Sequence, residues 1–307
     1  MEGSLRHRRT ASVLIRVGAV LAGTIVATAH PGSSIVVDAQ GQVYFVDTGQ
    51  GVWKLDTKGR LSLVHTVAYH WMALDEKGHF AKSKALGDFD RGSFERITPV
   101  GSIPTLIISS DYPIAVGEDG GLYYVPYDRS GLRELVRRMP DGQRSVFARL
   151  PTDTGAQPML WVNGIATGPD GSLYVTDNDA VRKIDRKGTV STFRDAIQVP
   201  DCSDPLPDTP KLPYLRGLAV ASDGTIYAAA NGCRAVIQVP AQGPIKTILN
   251  AKRPWSPTGV ALCGNDICVL EYLHTPGGDR KEWTPRVRSV GPAGKVRTLA
   301  TVTRQIK

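Results

Sequence analysis

Six polar residues occupy one position of a repeated pattern, two residues before an apolar pair that is typical of the start of a β-strand. They are Ser33, His70, Tyr112, Asn163, Arg216 and Thr258. The strands that follow end in a second set, which includes the carboxylates Asp47, Asp177 and Glu271. Carboxylate and amide oxygens are ligands that hard cations accept. If these strands converge, the residues form either a binding site for a small polar ligand or a cation site made of Asn163, Asp177, Asp47 and Glu271.

Two members of the first set carry further chemistry. His70 is a candidate general base, because an imidazole titrates near neutral pH. Arg216 could bind a carboxylate or stabilise an oxyanion. The plainer alternative is that the polar set only hydrates a channel, with Tyr69-His70-Trp71 as an aromatic plug. The remaining histidines show no zinc-motif spacing, so a zinc site is not expected.

The segment 163–193 shows which elements would position these residues. It has four short apolar runs, separated at two places by hairpin signals, Pro169-Asp170-Gly171 and Asp185-Arg186-Lys187-Gly188. Tyrosine and β-branched residues fill the runs, as strands prefer. Such a unit reads as a four-stranded antiparallel sheet, which cannot bury both of its faces without neighbouring copies.

Six copies of this unit follow one another along the chain. The first turn of each falls at Gly41, Gly78, Gly120, Gly171, Gly224 and Gly264-Asn265, and the second at Gly59, Gly101, Gly142, Gly188, Gly243 and Gly294. Intervals of about 40–50 residues with four strands per unit are typical of propeller blades. The sequence therefore predicts an all-β fold, a six-bladed β-propeller of four-stranded antiparallel blades, over residues 30–307.

The core pattern Gly164-Ile165-Ala166…Pro169-Asp170-Gly171…Leu173-Tyr174-Val175 resembles NHL repeats and the related senescence-marker-protein/gluconolactonase propellers. That group includes enzymes and plain binding modules. The resemblance implies a divalent ion held by a Glu, by the Asn of an NG motif and by a later Asp. Asn163-Gly164 matches the NG motif, but Arg216 stands in place of the later Asp and Ser33-Ser34 in place of the Glu. A cation beside Arg216 is repelled unless other carboxylates dominate.

The first 29 residues differ from the repeats. Arg6, Arg8 and Arg9 precede an apolar stretch over 17–29 that ends Ala27-Thr28-Ala29. This arrangement predicts a signal peptide and hence a periplasmic or extracellular protein, with no membrane span once the signal is removed. A basic tail on a cytosolic protein is the alternative.

The charge of the chain points to no particular partner. Of the net charge of +8, the first 29 residues supply +3, and the other basic residues are scattered. We therefore expect no nucleic-acid binding. The sequence favours a monomer whose partner is a small molecule or a protein.

All four cysteines lie beyond the first 29 residues. If the first strand of each unit lines the axis, the two Gly turns of every unit lie on one face of the ring, here called the turn face. The longer connections then lie on the opposite face, here called the loop-rich face. Cys263 and Cys268 then flank a turn at Asn265-Asp266 directly opposite one another, and Cys202 and Cys233 both lie on the loop-rich face. The predicted disulfides are Cys202–Cys233 and Cys263–Cys268, which suits an exported protein. Four reduced thiols are the alternative.

Long connections on one face of a rigid scaffold usually carry function. The first hypothesis is therefore an exported propeller that binds a small ligand or a protein through its loop-rich face without catalysis, with His70, Tyr112, Asn163, Arg216 and Thr258 at the centre. The second is a metal-dependent, lactonase-like hydrolase or a lyase using Ca²⁺ or Mg²⁺. A structural role in a surface or secretion assembly is a third.

Overall fold

A computed structural model describes residues 32–67, 69–83, 88–89, 92–97, 104–110, 112–126, 133–151, 162–207, 209, 212–274 and 283–303. The predicted signal peptide lies outside these residues. The described chain forms six four-stranded antiparallel sheets, which confirms the predicted propeller. No helix in the described part is long and apolar enough to cross a membrane.

Five blades run from axis to rim in chain order. The first blade contains β1 (Ile35–Val37), β2 (Val43–Asp47), β3 (Gly51–Leu55) and β4 (Leu61–His65). The third blade contains β9 (Ile114–Val116), β10 (Leu122–Tyr124), β11 (Glu134–Arg138) and β12 (Arg144–Arg149). The fourth contains β13 (Val162–Thr167), β14 (Leu173–Asp177), β15 (Ala180–Ile184) and β16 (Val190–Arg194). The fifth blade contains β17 (Leu215–Val220), β18 (Ile226–Ala230), β19 (Ala235–Val239) and β20 (Lys246–Asn250). The sixth blade contains β21 (Trp255–Cys263), β22 (Asp266–Leu273), β23 (Pro285–Val290) and β24 (Val296–Thr301).

The fourth blade shows why the sequence folds in this way. Gly171 and Gly188 have φ values of +72° and +84°, which side-chain-bearing residues rarely adopt. Every residue of β14 is buried, whereas every residue of the outer strand β16 is partly or fully exposed. Burial is greatest in β14, the second strand from the axis, and falls through β15 to β16 at the rim. Apolar side chains pack between neighbouring sheets, as between the fourth and fifth blades. The glycine turns and the stacked sheet faces together define the ring.

The second blade departs from the predicted chain order. Its strands are β5 (Trp71–Asp75), β6 (Asp88–Phe89), β7 (Gly92–Ile97) and β8 (Thr105–Ser109), in the spatial order β5-β8-β7-β6. β8 is buried throughout and pairs with β5, so Ser109, and not a residue near Lys84, ends the second strand from the axis. Lys84 itself lies outside the described residues.

The turn after β5 explains this difference. The Asp75 carboxylate accepts a hydrogen bond from the Phe80 N–H at 2.7 Å, and the Phe80 side chain is buried. The Ser83 hydroxyl then donates to the Pro140 carbonyl, next to a turn of the third blade. The segment after Gly78 therefore runs along the turn face. The prediction that this long connection lies on the loop-rich face was wrong, because the more apolar β8 takes the buried position beside the innermost strand β5.

Candidate functional site

Three of the six predicted residues lie at β-bulges in the innermost strands. The pairing register shifts between Val162 and Gly164, between Leu215 and Leu218, and between Pro257 and Gly259. Asn163, Arg216 and Thr258 therefore lie outside the regular ladder in three consecutive blades. Bulges redirect side chains and are frequent beside functional sites. We call Ser33, His70, Tyr112, Asn163, Arg216 and Thr258 the axial ring.

The glycines after these three residues allow the inner strands to meet. A Cβ on Gly164 would collide with the Arg216 carbonyl oxygen, and a Cβ on Gly259 would collide with the Ser33 carbonyl oxygen. A Cβ on Gly217 would lie 2.8 Å from both the Gly259 Cα and the Ser33 oxygen. The Gly of the NG motif thus has a packing reason in this fold. The backbones of the first, fourth, fifth and sixth blades come close together at this level.

Two side chains of the axial ring, those of Asn163 and Ser33, keep a buried polar atom that has no hydrogen-bond partner among the described residues. Asn163 is 6% exposed and Ser33 is 3% exposed. Neither the Asn163 Nδ2 nor the Ser33 Oγ makes a hydrogen bond within the described part of the chain. Buried polar groups are nearly always satisfied, so such atoms call for a water, an ion or a ligand.

Arg216 and Thr258 are buried in the same region. Burial lowers the pKa of the Arg216 guanidinium, and Tyr214 and Tyr272 oppose this shift. The Arg216 carbonyl accepts a hydrogen bond from the Thr176 hydroxyl at 2.9 Å, which ties the fifth blade to the fourth. The Thr258 hydroxyl donates to the Leu270 carbonyl at 3.5 Å. A desolvated cation in a polar setting is typical of binding sites.

His70 and Tyr112 lie toward the second and third blades. The His70 Nδ1 is 2.7 Å from the Ser110 carbonyl oxygen, which orients the imidazole. The Tyr112 ring stacks 5.9 Å from the Tyr124 ring and lies 6.2 Å from the Phe94 ring. Tyr112 therefore belongs partly to the aromatic core between these blades.

Asp177, a predicted metal ligand, lies between two arginines. Its carboxylate is 2.9 Å from Arg133 and 3.6 Å from Arg182. All three side chains are largely buried, so the pairing is little screened by solvent. A cation at Asp177 would have to compete with both guanidinium groups.

Glu271 has the same kind of environment in the sixth blade. It is fully buried, with Arg286 at 2.5 Å and Arg288 at 3.3 Å. The Arg286 guanidinium also stacks 3.9 Å from the centre of the Trp255 ring. These partners come from the third strand of the blade, where the sequence offered no signal for them.

Asp47 lies near Tyr272 at the junction of the first and sixth blades. Its carboxylate accepts a hydrogen bond from the Gly49 N–H at 2.8 Å. Burial raises the pKa of Tyr272, and the charge of Asp47 raises it further. In the described part of the chain, no group of three or more His, Cys, Asp or Glu residues is arranged to hold a metal ion. The cation site of Asn163, Asp177, Asp47 and Glu271 stays a prediction.

A cavity of about 330 Å³ lies on the axis and borders the axial ring. We call it the axial channel. It is lined by the innermost strands of all six blades. In chain order, each strand's lining runs from Ser33 to Val37, Trp71 to Leu74, Pro113 to Val116, Gly164 to Thr167, Gly217 to Val220 and Val260 to Leu262. The channel thus extends from the axial ring to the turn face, a direction that the sequence did not indicate.

Both pairs of cysteines lie at disulfide distance, in the pairing that the sequence predicts. The sulfur atoms of Cys202 and Cys233 are 2.02 Å apart, and those of Cys263 and Cys268 are 1.90 Å apart. The hairpin turn is, however, Gly264-Asn265, with Cys263 opposite Asp266 and Cys268 opposite Ala261. Cys263 and Cys268 are therefore diagonal neighbours. The predicted turn at Asn265-Asp266 was wrong, because Gly264 adopts the positive φ of the turn.

Comparison with known proteins adds information on the fold. No family model and no curated protein matches the sequence. A structural genomics protein of unknown function from Bacteroides thetaiotaomicron aligns with a TM-score of 0.51 at 14% identity, over 86% of this chain and 70% of that chain. The likeness shows the fold alone.

Two further solved structures have named functions. Virginiamycin B lyase from Staphylococcus aureus gives a TM-score of 0.46 at 16% identity, over 89% of this chain and 84% of its own. A calcium-binding protein, regucalcin, from Agrobacterium tumefaciens gives a TM-score of 0.44 at 14% identity, over 88% of this chain and 73% of its own.

Proposed function

We propose that this protein is an exported six-bladed propeller that binds a small molecule on its axis and does not catalyse a reaction. The contacts come from the axial ring, with His70, Tyr112, Asn163, Arg216 and Thr258 around the ligand's polar end. The axial channel holds the rest of the ligand. Its volume is at the lower end of the range of ligand pockets.

The observation that carries this proposal is the Asn163 side chain. It lies at a bulge, is nine-tenths buried, and has an Nδ2 without a hydrogen-bond partner among the described residues. Leaving such a donor unpaired costs about 1–3 kcal/mol. A ligand that accepts a hydrogen bond from the Asn163 Nδ2 would recover this cost, so the binding of such a ligand is favoured.

The metal-dependent hydrolase has weaker support. Two of its four proposed ligands, Asp177 and Glu271, are each neutralised by a pair of arginines. Removing an arginine from a buried carboxylate is costly, because it leaves an uncompensated charge. Ca²⁺ or Mg²⁺ would therefore bind only with a rearrangement of both clusters.

Export rests on the sequence of residues 1–29 and on the two disulfide pairs. Disulfides persist in oxidising compartments. We expect the signal segment to be removed and the protein to be a periplasmic or extracellular monomer. N-terminal sequencing of the protein recovered after expression of the full chain tests this: an N-terminus near residue 30 supports export, and an intact Met1 in the cytosolic fraction counts against it.

Thermal unfolding of the purified protein tests the binding function. A panel of small metabolites is screened, with separate arms containing Ca²⁺, Mg²⁺, Mn²⁺ or a chelator. We expect at least one organic ligand to stabilise the wild type and not the Asn163→Leu variant, which keeps the side-chain volume but lacks the amide. At a hundredfold excess over Kd the gain is about 2.7 kcal/mol. Stabilisation by a divalent cation alone, lost in Asn163→Leu, would instead support the hydrolase.

A further inference from the structure

Two carboxylates next to the axial ring are each surrounded by more positive than negative charge. Asp177 pairs with Val162, and Glu271 pairs with Pro257, so these carboxylates lie beside the bulges of the fourth and sixth blades. Each of them contacts two arginines, as described above. Each cluster therefore holds one negative and two positive groups. The two clusters lie on either side of the fifth blade, which carries Arg216.

Arg216 and Asp47 belong to the same charged region. Beyond the effect of burial, Asp47 raises the pKa of Tyr272 and Arg216 lowers it, so the three groups lie close together. When these two residues are added to the two clusters, five largely buried arginines stand against three buried carboxylates. Asp195 also lies 3.6 Å from Arg182, but it is mostly exposed and its charge is screened by water. Positive charge is thus in excess where little water can solvate it, which favours an anion at this place.

The axial ring offers hydrogen-bond donors to such an anion. The Asn163 Nδ2 and the Ser33 hydroxyl are both buried, and neither has a hydrogen-bond partner in the described part of the chain. The first is a donor, and the second can donate. The Arg216 guanidinium is a planar fork of N–H donors that matches the two oxygens of a carboxylate. Hydrogen bonds to a charged acceptor are stronger than those to a neutral one, so this set of donors favours a carboxylate.

Close backbone contacts hold the three donor residues together. A Cβ on Gly164, which follows Asn163, would lie 2.5 Å from the Arg216 carbonyl oxygen. A Cβ on Gly217, which follows Arg216, would lie 2.8 Å from the Ser33 carbonyl oxygen. The three residues are therefore neighbours in space, although they come from three blades. The close approach of the backbones leaves little room at this level, which favours a planar head group over a tetrahedral one.

The axial channel adjoins these donors and can hold the body of the ligand. Ser33, Gly164 and Gly217 line its end at the axial ring. Each innermost strand is the edge of its sheet, and an edge strand presents backbone N–H and C=O groups. Polar groups on the body of the ligand can therefore form hydrogen bonds along the channel.

We propose that the axial site takes a small organic acid, whose carboxylate binds to Arg216, Asn163 and Ser33 and whose body extends into the axial channel. This inference rests on the proposed function and specifies its ligand class. The clusters around Asp177 and Glu271 stay intact on binding, and their excess positive charge stabilises the anion.

Three carboxylates, each paired with its own amide, test the ligand class. They are lactate with lactamide, succinate with succinamide and benzoate with benzamide, added to the full-chain expression product. The readouts are the Tm and a calorimetric titration, with sodium chloride at the same ionic strength as the reference and inorganic phosphate as a separate arm. We expect at least one carboxylate to give a saturable rise in Tm of at least about 2 °C over the reference. Its amide should bind at least about tenfold more weakly.

Two variants of Arg216 test the location. Arg216→Met lacks the charge and should weaken the affinity for the carboxylate at least about tenfold. Arg216→Lys keeps the charge but not the planar fork, and should weaken the affinity at least about threefold, which keeps the test available if the first variant does not fold. Lys246→Gln is the control, because it removes one positive charge from an exposed position on β20, the outer strand of the same blade. This control should bind the carboxylate as the wild type does.

Each contrary outcome has a distinct meaning. An amide that binds as tightly as its carboxylate overturns the anionic class, and phosphate that binds more tightly than every carboxylate overturns the carboxylate head group. An affinity for the carboxylate that is unchanged in either Arg216 variant overturns the location. If no carboxylate binds, this inference fails. The proposed function still stands in that case if another metabolite stabilises the wild type but not Asn163→Leu, and it fails as well if none does.

Discussion

The hydroxyl of Tyr272 donates a hydrogen bond of 2.6 Å to the backbone oxygen of Val46, a residue 226 positions earlier in the chain. Tyr272 belongs to the second strand of the sixth blade and Val46 to the second strand of the first. In the described part of the chain, each blade is built from one continuous segment, so no strand is exchanged where the ring closes. This bond and the close approach of Gly259 to Ser33 join the first and last blades.

Replacement of Tyr272 by phenylalanine should weaken ring closure. The substitution leaves the buried Val46 oxygen without this donor, and we expect a loss of about 1–3 kcal/mol in the free energy of unfolding. Urea denaturation measures it. Tyr227→Phe is the control, because the Tyr227 hydroxyl has no hydrogen bond within the described residues. Equal stabilities of the two variants would show that the junction between the first and sixth blades does not depend on this hydrogen bond.

Gly259→Ala should be more damaging than an alanine substitution in an outer turn. The new Cβ would collide with the Ser33 backbone oxygen, and the backbone cannot yield as a flexible side chain can. We expect a loss of about 3 kcal/mol, as for an overpacked core. Gly291→Ala is the matched control, since its nearest neighbour would lie 3.4 Å away. A well-tolerated Gly259→Ala would contradict the tight packing of the inner strands.

The fold could be predicted from local signals. Of the twelve predicted turn glycines, all but Gly101, which lies outside the described residues, have positive φ. The order of strands in the second blade could not be predicted in this way. It depends on which segment, the one after Gly78 or residues 105–109, competes better for the buried position beside β5. Such a competition between distant segments leaves no local pattern.

The strand positions of the axial ring could be predicted, but the surroundings of its residues could not. These residues lie in or just before the innermost strands, as the spacing indicated, and whether they form a binding site stays a prediction. The bulges at Asn163, Arg216 and Thr258 are register shifts that no residue type indicates. The arginine partners of Asp177 and Glu271 come from other strands and, for Arg133, from another blade. The chemistry of a carboxylate is set by such long-range neighbours, so sequence alone could not show it.

The two disulfides should contribute unequally to stability. Their cysteines are separated by 31 and 5 residues, and the loss of unfolded-chain entropy grows with loop length. Replacing both Cys202 and Cys233 by alanine should cost about 4 kcal/mol, and replacing both Cys263 and Cys268 about 2 kcal/mol. Denaturant unfolding of the two double variants measures the difference. An equal loss, or a larger loss for the shorter loop, would contradict this expectation.

The protein should lose stability at alkaline pH through buried tyrosines. Burial raises the pKa of Tyr44 to about 12, and the neighbouring Asp38 carboxylate adds to the shift. Above a pH of about 10 the unfolded chain loses this proton while the folded protein keeps it, so stability falls as pH rises from about 10 to about 12.

Tyr44→Phe checks this dependence. The free energy of unfolding of this variant should fall less steeply between those pH values than that of the wild type. Some pH dependence should remain in the variant, because burial also raises the pKa of Tyr123 and Tyr272. Urea unfolding at a series of pH values measures both proteins. Parallel curves would show that Tyr44 does not keep its proton in the folded state.

The measurement that tests the central claim most directly is a titration of the protein with the best organic ligand from the thermal screen, by calorimetry, in the wild type and in Asn163→Leu, with and without chelator. The account predicts binding by the wild type that is unaffected by chelator and at least tenfold weaker in the variant, since the ligand would lose its bond to the buried amide. Binding that is equal in both proteins, or that disappears with chelator, would contradict it.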